Sequence, residues 1–120
     1  MMRIMLKSKV SYGVVSDLQL YYKGSITIDE NIMEEADLCE GERVDVVNLN
    51  NGSRLQTYVI KGERDSGIIC LNGPAARSGF KGDKIIVISY GIYDNEEIKN
   101  FKAKYVELDG ENKITNIYLA

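Results

Sequence analysis

The sequence predicts a mainly β fold, a small β-barrel with one or two short helices. Short stretches that alternate apolar and polar side chains follow one another along the chain, and turn residues separate them at regular intervals. Many short strands at this spacing, with few helical residues, are typical of small barrels. A chain of 120 residues fits one domain, and a domain of this size buries roughly two-thirds of its unfolded surface. We therefore expect a single domain over residues 1–120.

The first half of the chain is predicted to form most of the strands and one helix. The predicted strands are 3–10, 14–15, 18–22, 25–28, 43–49 and 53–61. Asp29 is expected to cap a helix that ends near Leu38, because helical periodicity and an acidic first turn follow it. The Asn51-Gly52 pair is among the strongest hairpin signals. The two strands that flank this pair should therefore be neighbours in the sheet.

Strand 53–61 carries several polar side chains, and alternation assigns them to two faces. Arg54, Gln56 and Tyr58 share one face of a regular strand, whereas Leu55, Thr57 and Val59 share the other. A site that used Arg54, Thr57 and Tyr58 together would therefore need a twist, an edge position or contributions from both faces.

The second half of the chain is predicted to continue the barrel. Its predicted strands are 68–71, 84–90, 104–108 and 114–119. Pro74, the only proline, favours a loop or a single helical turn directly after Asn72-Gly73. Asp94 is expected to cap a short helix over 94–101, and residues 109–113 form a predicted hairpin turn.

Composition excludes several classes of function. Hydrophobic residues make up 44% and charged residues 28%, which argues against disorder and against a membrane span. The net charge of −3 includes no block of like charges, so nucleic acid is not an expected partner. Cys39 and Cys70 have neither metal-site spacing nor the number needed for a disulfide framework. Since the N-terminus also lacks a secretory signal, we expect a cytoplasmic protein.

The chain contains no histidine, which removes the usual general base and the commonest metal ligand. The Gly24-Ser25 bond offers other chemistry, because a glycine carbonyl is open to attack by the next hydroxyl. Well-oriented intramolecular reactions reach effective molarities of roughly 10⁵ to 10⁸ M. Attack of the Ser25 hydroxyl would convert the amide into an ester. Loss of the Ser25 α-proton would then expel the Gly24 carboxylate, and hydrolysis of the resulting dehydroalanine would leave a pyruvoyl ketone.

Several motifs together resemble the L-aspartate alpha-decarboxylase family. They are Tyr22-Lys23-Gly24-Ser25-Ile26-Thr27-Ile28-Asp29, Asn51-Gly52-Ser53-Arg54, Thr57-Tyr58-Val59-Ile60 and Ile69-Cys70-Leu71-Asn72-Gly73. The likeness runs without gaps from Met5-Leu6 to about Tyr90. It implies a pyruvoyl enzyme with a double-psi β-barrel fold, usually a homotetramer. Such an enzyme makes β-alanine for pantothenate and coenzyme A by forming a Schiff base with L-aspartate.

The resemblance also implies roles for individual residues in self-processing. Gly24-Ser25 matches the bond that is cut, which would give a β chain of residues 1–24 and an α chain of residues 25–120 that starts with the pyruvoyl group. Thr57 matches a threonine whose hydroxyl donates to the oxyanion, and one such donor is typically worth about 10² to 10³ in rate. Asn72 matches an asparagine that donates to the same region.

Further residues match the family's substrate pocket. Arg54 matches the ligand of a substrate carboxylate, and its planar fork suits that group. Lys9 matches an active-site lysine whose charge suits an anionic substrate. Tyr58 matches the proposed proton donor. Thr57 is expected to bind the substrate as well, and the backbone around Gly73 and Ala75 is expected to line the same pocket. Neither a metal nor an external cofactor is implied.

Two departures from the family pattern keep alternatives open. Ser11-Tyr12 stands where many members have a histidine followed by a basic residue, and Pro74 stands where many have alanine. A pocket with less positive charge could prefer another acidic amino acid, such as glutamate. A non-catalytic barrel that binds a partner is the alternative from another class. Some relatives also need an accessory activator for cleavage.

Overall fold

The computed structural model describes residues 1–22 and 24–120; Lys23, part of the predicted processing motif, lies outside the described residues. The strands are β1 Met2–Val14, β2 Asp17–Gln19, β3 Ser25–Asp29, β4 Arg43–Asn48, β5 Arg54–Gly62, β6 Ile69–Asn72, β7 Lys84–Asp94, β8 Lys104–Leu108 and β9 Ile114–Leu119. The helices are α1 Glu30–Glu35, α2 Asn95–Ile98 and a 3₁₀ helix over Gly73–Ser78. The predicted mainly β class is confirmed.

The strands form a mixed sheet in the order β2-β6-β3-β5-β4-β7-β1-β8-β9. Strand β3 pairs in parallel with β5 and antiparallel with β6, so it lies between two strands of opposite direction. Side chains from well-separated strands, such as Val10, Ile26 and Val106, share one buried cluster. Because strands at both ends of the order contribute to this cluster, the sheet curls around it as a small β-barrel.

The described hairpin between β4 and β5 agrees with the prediction from Asn51-Gly52. The two strands are antiparallel neighbours, with Val47 opposite Arg54. Gly52 has a φ of +74°, in the left-handed region that glycine adopts without strain. Along β5, exposed and less exposed side chains alternate from Arg54 to Val59, as a regular strand requires.

Strand β1 is longer than predicted, since it extends from the piece expected at 3–10 to Val14, the first residue of the piece expected at 14–15. A β-bulge at Ser11-Tyr12 interrupts its alternation while its pairing with β7 continues on both sides, at Val10 and again at Gly13. Tyr12 has a φ of 67° at this bulge. A bulge breaks the period of two, and this explains why the sequence pattern divided one strand into two.

Other boundaries differ from the prediction as well. Strand β7 continues to Asp94, four residues beyond its predicted end at residue 90. Strand β2 covers Asp17–Gln19 rather than 18–22. Helix α1 ends at Glu35, three residues early, because Asp37 adopts a left-handed φ of 56° that no helix continues through. Helix α2 ends at Ile98 and not at residue 101, and Asn100 shows the same conformation, with a φ of 67°.

Asp29 caps α1 and also binds the loop that follows β5, so we expect its substitution to lower the stability of the fold. Its buried carboxylate accepts hydrogen bonds from Asn31 N at 2.9 Å, Asp65 N at 3.0 Å and Gly67 N at 2.9 Å. Asp29→Ala should lower the free energy of unfolding by about 2 to 4 kcal/mol, because it removes a cap and two charge-assisted hydrogen bonds.

Urea unfolding of uncleaved chains, in a Ser25→Ala background, measures this loss. Asp29→Asn should lose less, since its side-chain oxygen still accepts. Glu96→Ala, which removes an exposed ion pair with Lys99, is the control and should change stability by less than about 1 kcal/mol. An Asp29→Ala chain that unfolds at the same urea concentration as its parent would contradict the assigned role.

Candidate self-processing and active site

The register between β3 and β6 places Asn72 directly opposite Ser25. Ser25 and Thr27, two residues apart on β3, point to the same face. The Asn72 Nδ2 group donates to Ser25 Oγ at 2.8 Å and to Thr27 Oγ1 at 2.9 Å. Ser25 and Asn72 are both buried, with 0% and 3% of their surface exposed. The hydroxyl at the predicted cut site is therefore held by a buried amide.

A cleft of about 490 Å³ opens beside this pair. Strand β5 runs parallel to β3 with Val59 beside Ile26, so its earlier residues extend past the point where β3 begins. The 3₁₀ helix covers the gap that this stagger leaves. The residues lining the cleft are Gly24, Leu55, Gln56, Thr57, Tyr58, Pro74, Ala75 and Ser78. Both faces of β5 contribute to this cleft, which is one of the three arrangements that the alternation argument allowed, but Arg54 is not among the lining residues.

Gly73 leaves room for the backbone of the cut site because it has no side chain. Its φ is +63°, and a Cβ there would lie 2.4 Å from the Tyr22 carbonyl oxygen and 2.9 Å from Gly24 N. A Cβ on Gly24, in contrast, would meet only Pro74 Cδ, at 3.7 Å. Crowding therefore requires glycine at position 73, whereas it leaves room for a larger residue at 24.

The hairpin loop between β4 and β5 anchors the far end of the 3₁₀ helix. The carbonyl oxygen of Ser78 accepts from Asn48 Nδ2 at 3.2 Å, Asn51 Nδ2 at 3.1 Å and Ser53 Oγ at 3.1 Å. Asn51-Gly52-Ser53 thus turns the chain and also positions the cover of the cleft. The sequence pattern indicated the turn, but the partner carbonyl lies 25 or more residues away in the chain.

Comparison with known proteins identifies the family. The family model described as aspartate decarboxylase matches residues 1–115. The chain belongs to this family. It is 58% identical to the aspartate 1-decarboxylase of Acetivibrio thermocellus, over 94% of this chain and 90% of that protein. It is 54% identical to that of Thermoanaerobacter pseudethanolicus, over 98% of this chain and 100% of the relative. The resemblance drawn from the motifs is confirmed.

Seven of the residues expected from the family's pattern lie around one place. Gly24, Thr57, Tyr58 and Ala75 line the cleft. Ser25 and Asn72 lie directly behind the cleft and are hydrogen-bonded to each other, and Gly73 lies close against the backbone of Gly24. Leu55, Gln56, Pro74 and Ser78 were not assigned from the sequence, although the first two flank expected residues on the same strand. Within the described ranges 1–22 and 24–120, no three His, Cys, Asp or Glu side chains could hold a metal ion.

The two cations of the family pattern lie elsewhere in this chain. Arg54 Nη1 is 3.1 Å from Asp45 Oδ2, and 56% of the arginine side chain is exposed. Lys9 lies on β1, between Ile88 of β7 and Tyr105 of β8. Neither residue lines the cleft in the described part of the chain. The Ser11-Tyr12 departure lies on the same strand as Lys9, at the bulge.

Cys70 carries a buried thiol next to the side chain of Asn72. Its Sγ lies 3.3 Å from Asn72 Oδ1, and only 3% of the residue is exposed. Burial, together with the nearby negative charge of Asp17, raises the pKa of the Cys70 thiol to about 11. The thiol therefore keeps its proton at neutral pH.

No helix among the described residues is long and apolar enough to cross a membrane.

Proposed function

We propose that this chain decarboxylates L-aspartate to β-alanine and carbon dioxide, after cutting itself between Gly24 and Ser25. The observation that carries the proposal is the buried Ser25 Oγ, held at 2.8 Å by the Asn72 amide behind a cleft that Gly24 lines. Relatives named aspartate 1-decarboxylase over nearly the whole chain support the substrate. The product would supply pantothenate and coenzyme A synthesis in the cytoplasm.

Self-cleavage begins when Ser25 Oγ forms a bond to the Gly24 carbonyl carbon and the C–N bond between the two residues breaks. The hydroxyl proton passes to the released Ser25 nitrogen, so the chain is isomerised from amide to ester. Asn72 and Thr57 are the polar groups proposed to stabilise the negative carbonyl oxygen during this step, as fixed donors do in acyl transfer. The missing side chain of Gly73 leaves room for the Gly24 backbone in its present position.

The cofactor we propose is the pyruvoyl group that Ser25 becomes after cleavage and elimination. The surroundings fit it, because a small planar group at the start of β3 would lie against the buried Asn72 amide and face the cleft. When formed, this group supplies a ketone that binds the substrate amine and accepts the electron pair left by the departing carboxylate. Tyr58, on the cleft wall, is the proposed donor of the proton to the substrate carbon.

Arg54 is the proposed ligand of a substrate carboxylate, with Lys9 as a second positive charge. Its contact with Asp45 involves only Nη1, and a guanidinium has five N–H donors in total. Arg54→Ala should still cut at Gly24-Ser25 but lose about 10²-fold in kcat/KM for aspartate, the order expected for one charge-assisted carboxylate contact. Intact mass measures the first outcome and β-alanine release the second.

Two controls accompany that variant. Arg54→Lys keeps the charge but loses the planar fork, so its turnover should fall between wild type and Arg54→Ala. Arg64→Ala removes another exposed arginine, which pairs with Glu30 at 3.1 Å on helix α1, and it should turn over aspartate normally. Normal decarboxylation by Arg54→Ala would remove the carboxylate role.

The assembly we propose is a homotetramer. Near the paired ends of β1 and β7, the apolar side chains of Ile4 and Ile92 lie opposite each other and are 74% and 66% exposed. Such pairs are usually covered in an assembly, since contiguous apolar surface favours association. Light scattering of the purified protein gives the copy number, with any accessory activator absent.

The test of this function has a distinct outcome for each of two alternatives, glutamate as the substrate and a non-catalytic barrel. Intact mass of the purified protein, with and without hydroxylamine, shows whether the chain is cut and carries a ketone. Product assays with aspartate and glutamate side by side then distinguish the two substrates, which matters because Ser11-Tyr12 stands where many members have a histidine followed by a basic residue. An uncut chain without carbonyl reactivity, even with an activator present, would favour a non-catalytic binding barrel.

A further inference from the structure

We propose that Cys70 is a positioning residue for self-cleavage: its thiol orients the Asn72 side chain so that the amide N–H groups, and not the amide oxygen, face Ser25. The proposal rests on the proposed function, because it concerns the rate at which the chain cuts itself. Cys70 itself contacts neither the Gly24 carbonyl nor the substrate in this assignment, and it acts through Asn72.

The strand register brings the four groups together. Ser25 is opposite Asn72, and Thr27 is opposite Cys70, in the antiparallel pair of β3 and β6. These side chains therefore share one face of the two strands. Asn72 lies at the centre of the group, with Nδ2 donating to Ser25 Oγ and Thr27 Oγ1. Its Oδ1 accepts from Cys70 Sγ at 3.3 Å.

The Thr27 hydroxyl does not determine which way the amide points. A hydroxyl both donates and accepts, so Thr27 would also satisfy an amide turned by half a rotation. The turned amide would present its N–H groups to the Cys70 sulfur, which is a weak acceptor, and the thiol proton would lose its nearer acceptor. Cys70 is thus a neighbour that favours the observed orientation.

The thiol is suited to this role because it keeps its proton. Burial and the charge of Asp17 oppose its ionisation, so it donates rather than accepts at neutral pH. The other oxygen within reach, the carbonyl of Leu71, is 3.9 Å from Sγ, farther than Asn72 Oδ1. The proton is therefore directed at the asparagine.

The orientation matters for the reaction. Before the reaction, the two Nδ2 hydrogens of Asn72 are used by Ser25 Oγ and Thr27 Oγ1. As Ser25 Oγ bonds to the Gly24 carbon, the N–H group that it accepted from becomes available to the negative Gly24 oxygen, which an amide oxygen would repel. Chains in which Asn72 is turned would cut slowly. Loss of the thiol should therefore lower the cleavage rate through the fraction of correctly oriented amide, without preventing the chain from folding.

Valine and serine at position 70 separate a hydrogen-bonding role from a packing role. Cys70→Val fills similar space without a donor, whereas Cys70→Ser is smaller and keeps one. The rate of conversion of freshly purified precursor into fragments 1–24 and 25–120, followed by intact mass, should fall about tenfold in Cys70→Val, the factor of one ordinary hydrogen bond. Cys70→Ser should cut within about threefold of wild type.

Controls make the outcome decisive. Cys39→Ala, at the exposed cysteine, should cut at the wild-type rate, and melting temperatures show whether each variant is folded. Equal rates for wild type and Cys70→Val would overturn the proposal while leaving self-cleavage intact. A slow Cys70→Ser together with a fast Cys70→Val would assign packing to the site and also overturn it. A wild type that never cuts would remove the proposed function, and this inference with it.

Discussion

Ser25→Ala is expected to remain one chain of 120 residues, whereas the wild type separates into residues 1–24 and 25–120 under denaturing conditions. The effect should be complete, because no other side chain can supply both the attacking oxygen and the carbon atoms of the ketone. The alanine variant should also fail to react with hydroxylamine and to release β-alanine. Intact mass with and without hydroxylamine measures the first two outcomes.

The matched control is another fully buried serine. Ser89 lies on β7 with 0% exposure, and its Oγ pairs with that of Ser8 at 2.7 Å. Ser89→Ala removes a buried hydroxyl of the same kind without touching the cleft, so it should still cut. Fragments of the same size from Ser25→Ala would show that cleavage comes from a contaminating protease, and the decarboxylase proposal would fall.

Gly73→Ala is expected to slow self-cleavage by about 10²-fold, the cost of a displacement of about 1 Å at a reacting centre. The added Cβ would meet the Tyr22 carbonyl oxygen at 2.4 Å and Gly24 N at 2.9 Å, so the backbone of the cut site must move. Neither atom belongs to a side chain that could rotate away. The uncut fraction after a fixed incubation, by intact mass, gives the rate.

Gly41→Ala separates the collision from the backbone strain. Gly41 has a φ of +87°, also in the left-handed region, but a Cβ there meets nothing within 4 Å. Both alanine variants therefore lose roughly the same stability from strain, about 1 kcal/mol, whereas only Gly73→Ala should cut slowly. Similar cleavage rates for the two variants would mean that Gly73 matters only for its own conformation.

Much of the fold follows from local patterns, and several of the errors share a physical cause. The hairpin at Asn51-Gly52, the Asp29 cap and the alternation along β5 depend on nearby residues, and all agree with the structure. The bulge at Ser11-Tyr12 and the early end of α1 at Asp37 depend on left-handed backbone at non-glycine residues. Single side chains predict that conformation poorly, because neighbouring strands and loops stabilise it.

The site divides in the same way. The sequence by itself identified the family, and the resemblance predicted Gly24-Ser25 as the cut bond and Thr57, Tyr58, Asn72, Gly73 and Ala75 as site residues, because these motifs are contiguous in the chain. Only the tertiary structure decided that Asn72 donates to both Ser25 and Thr27, and that Cys70 donates to its amide oxygen. It also placed Arg54 on Asp45 and Lys9 on a strand outside the cleft. Strand register and sheet order set these distances, and both depend on pairing between residues far apart in the chain.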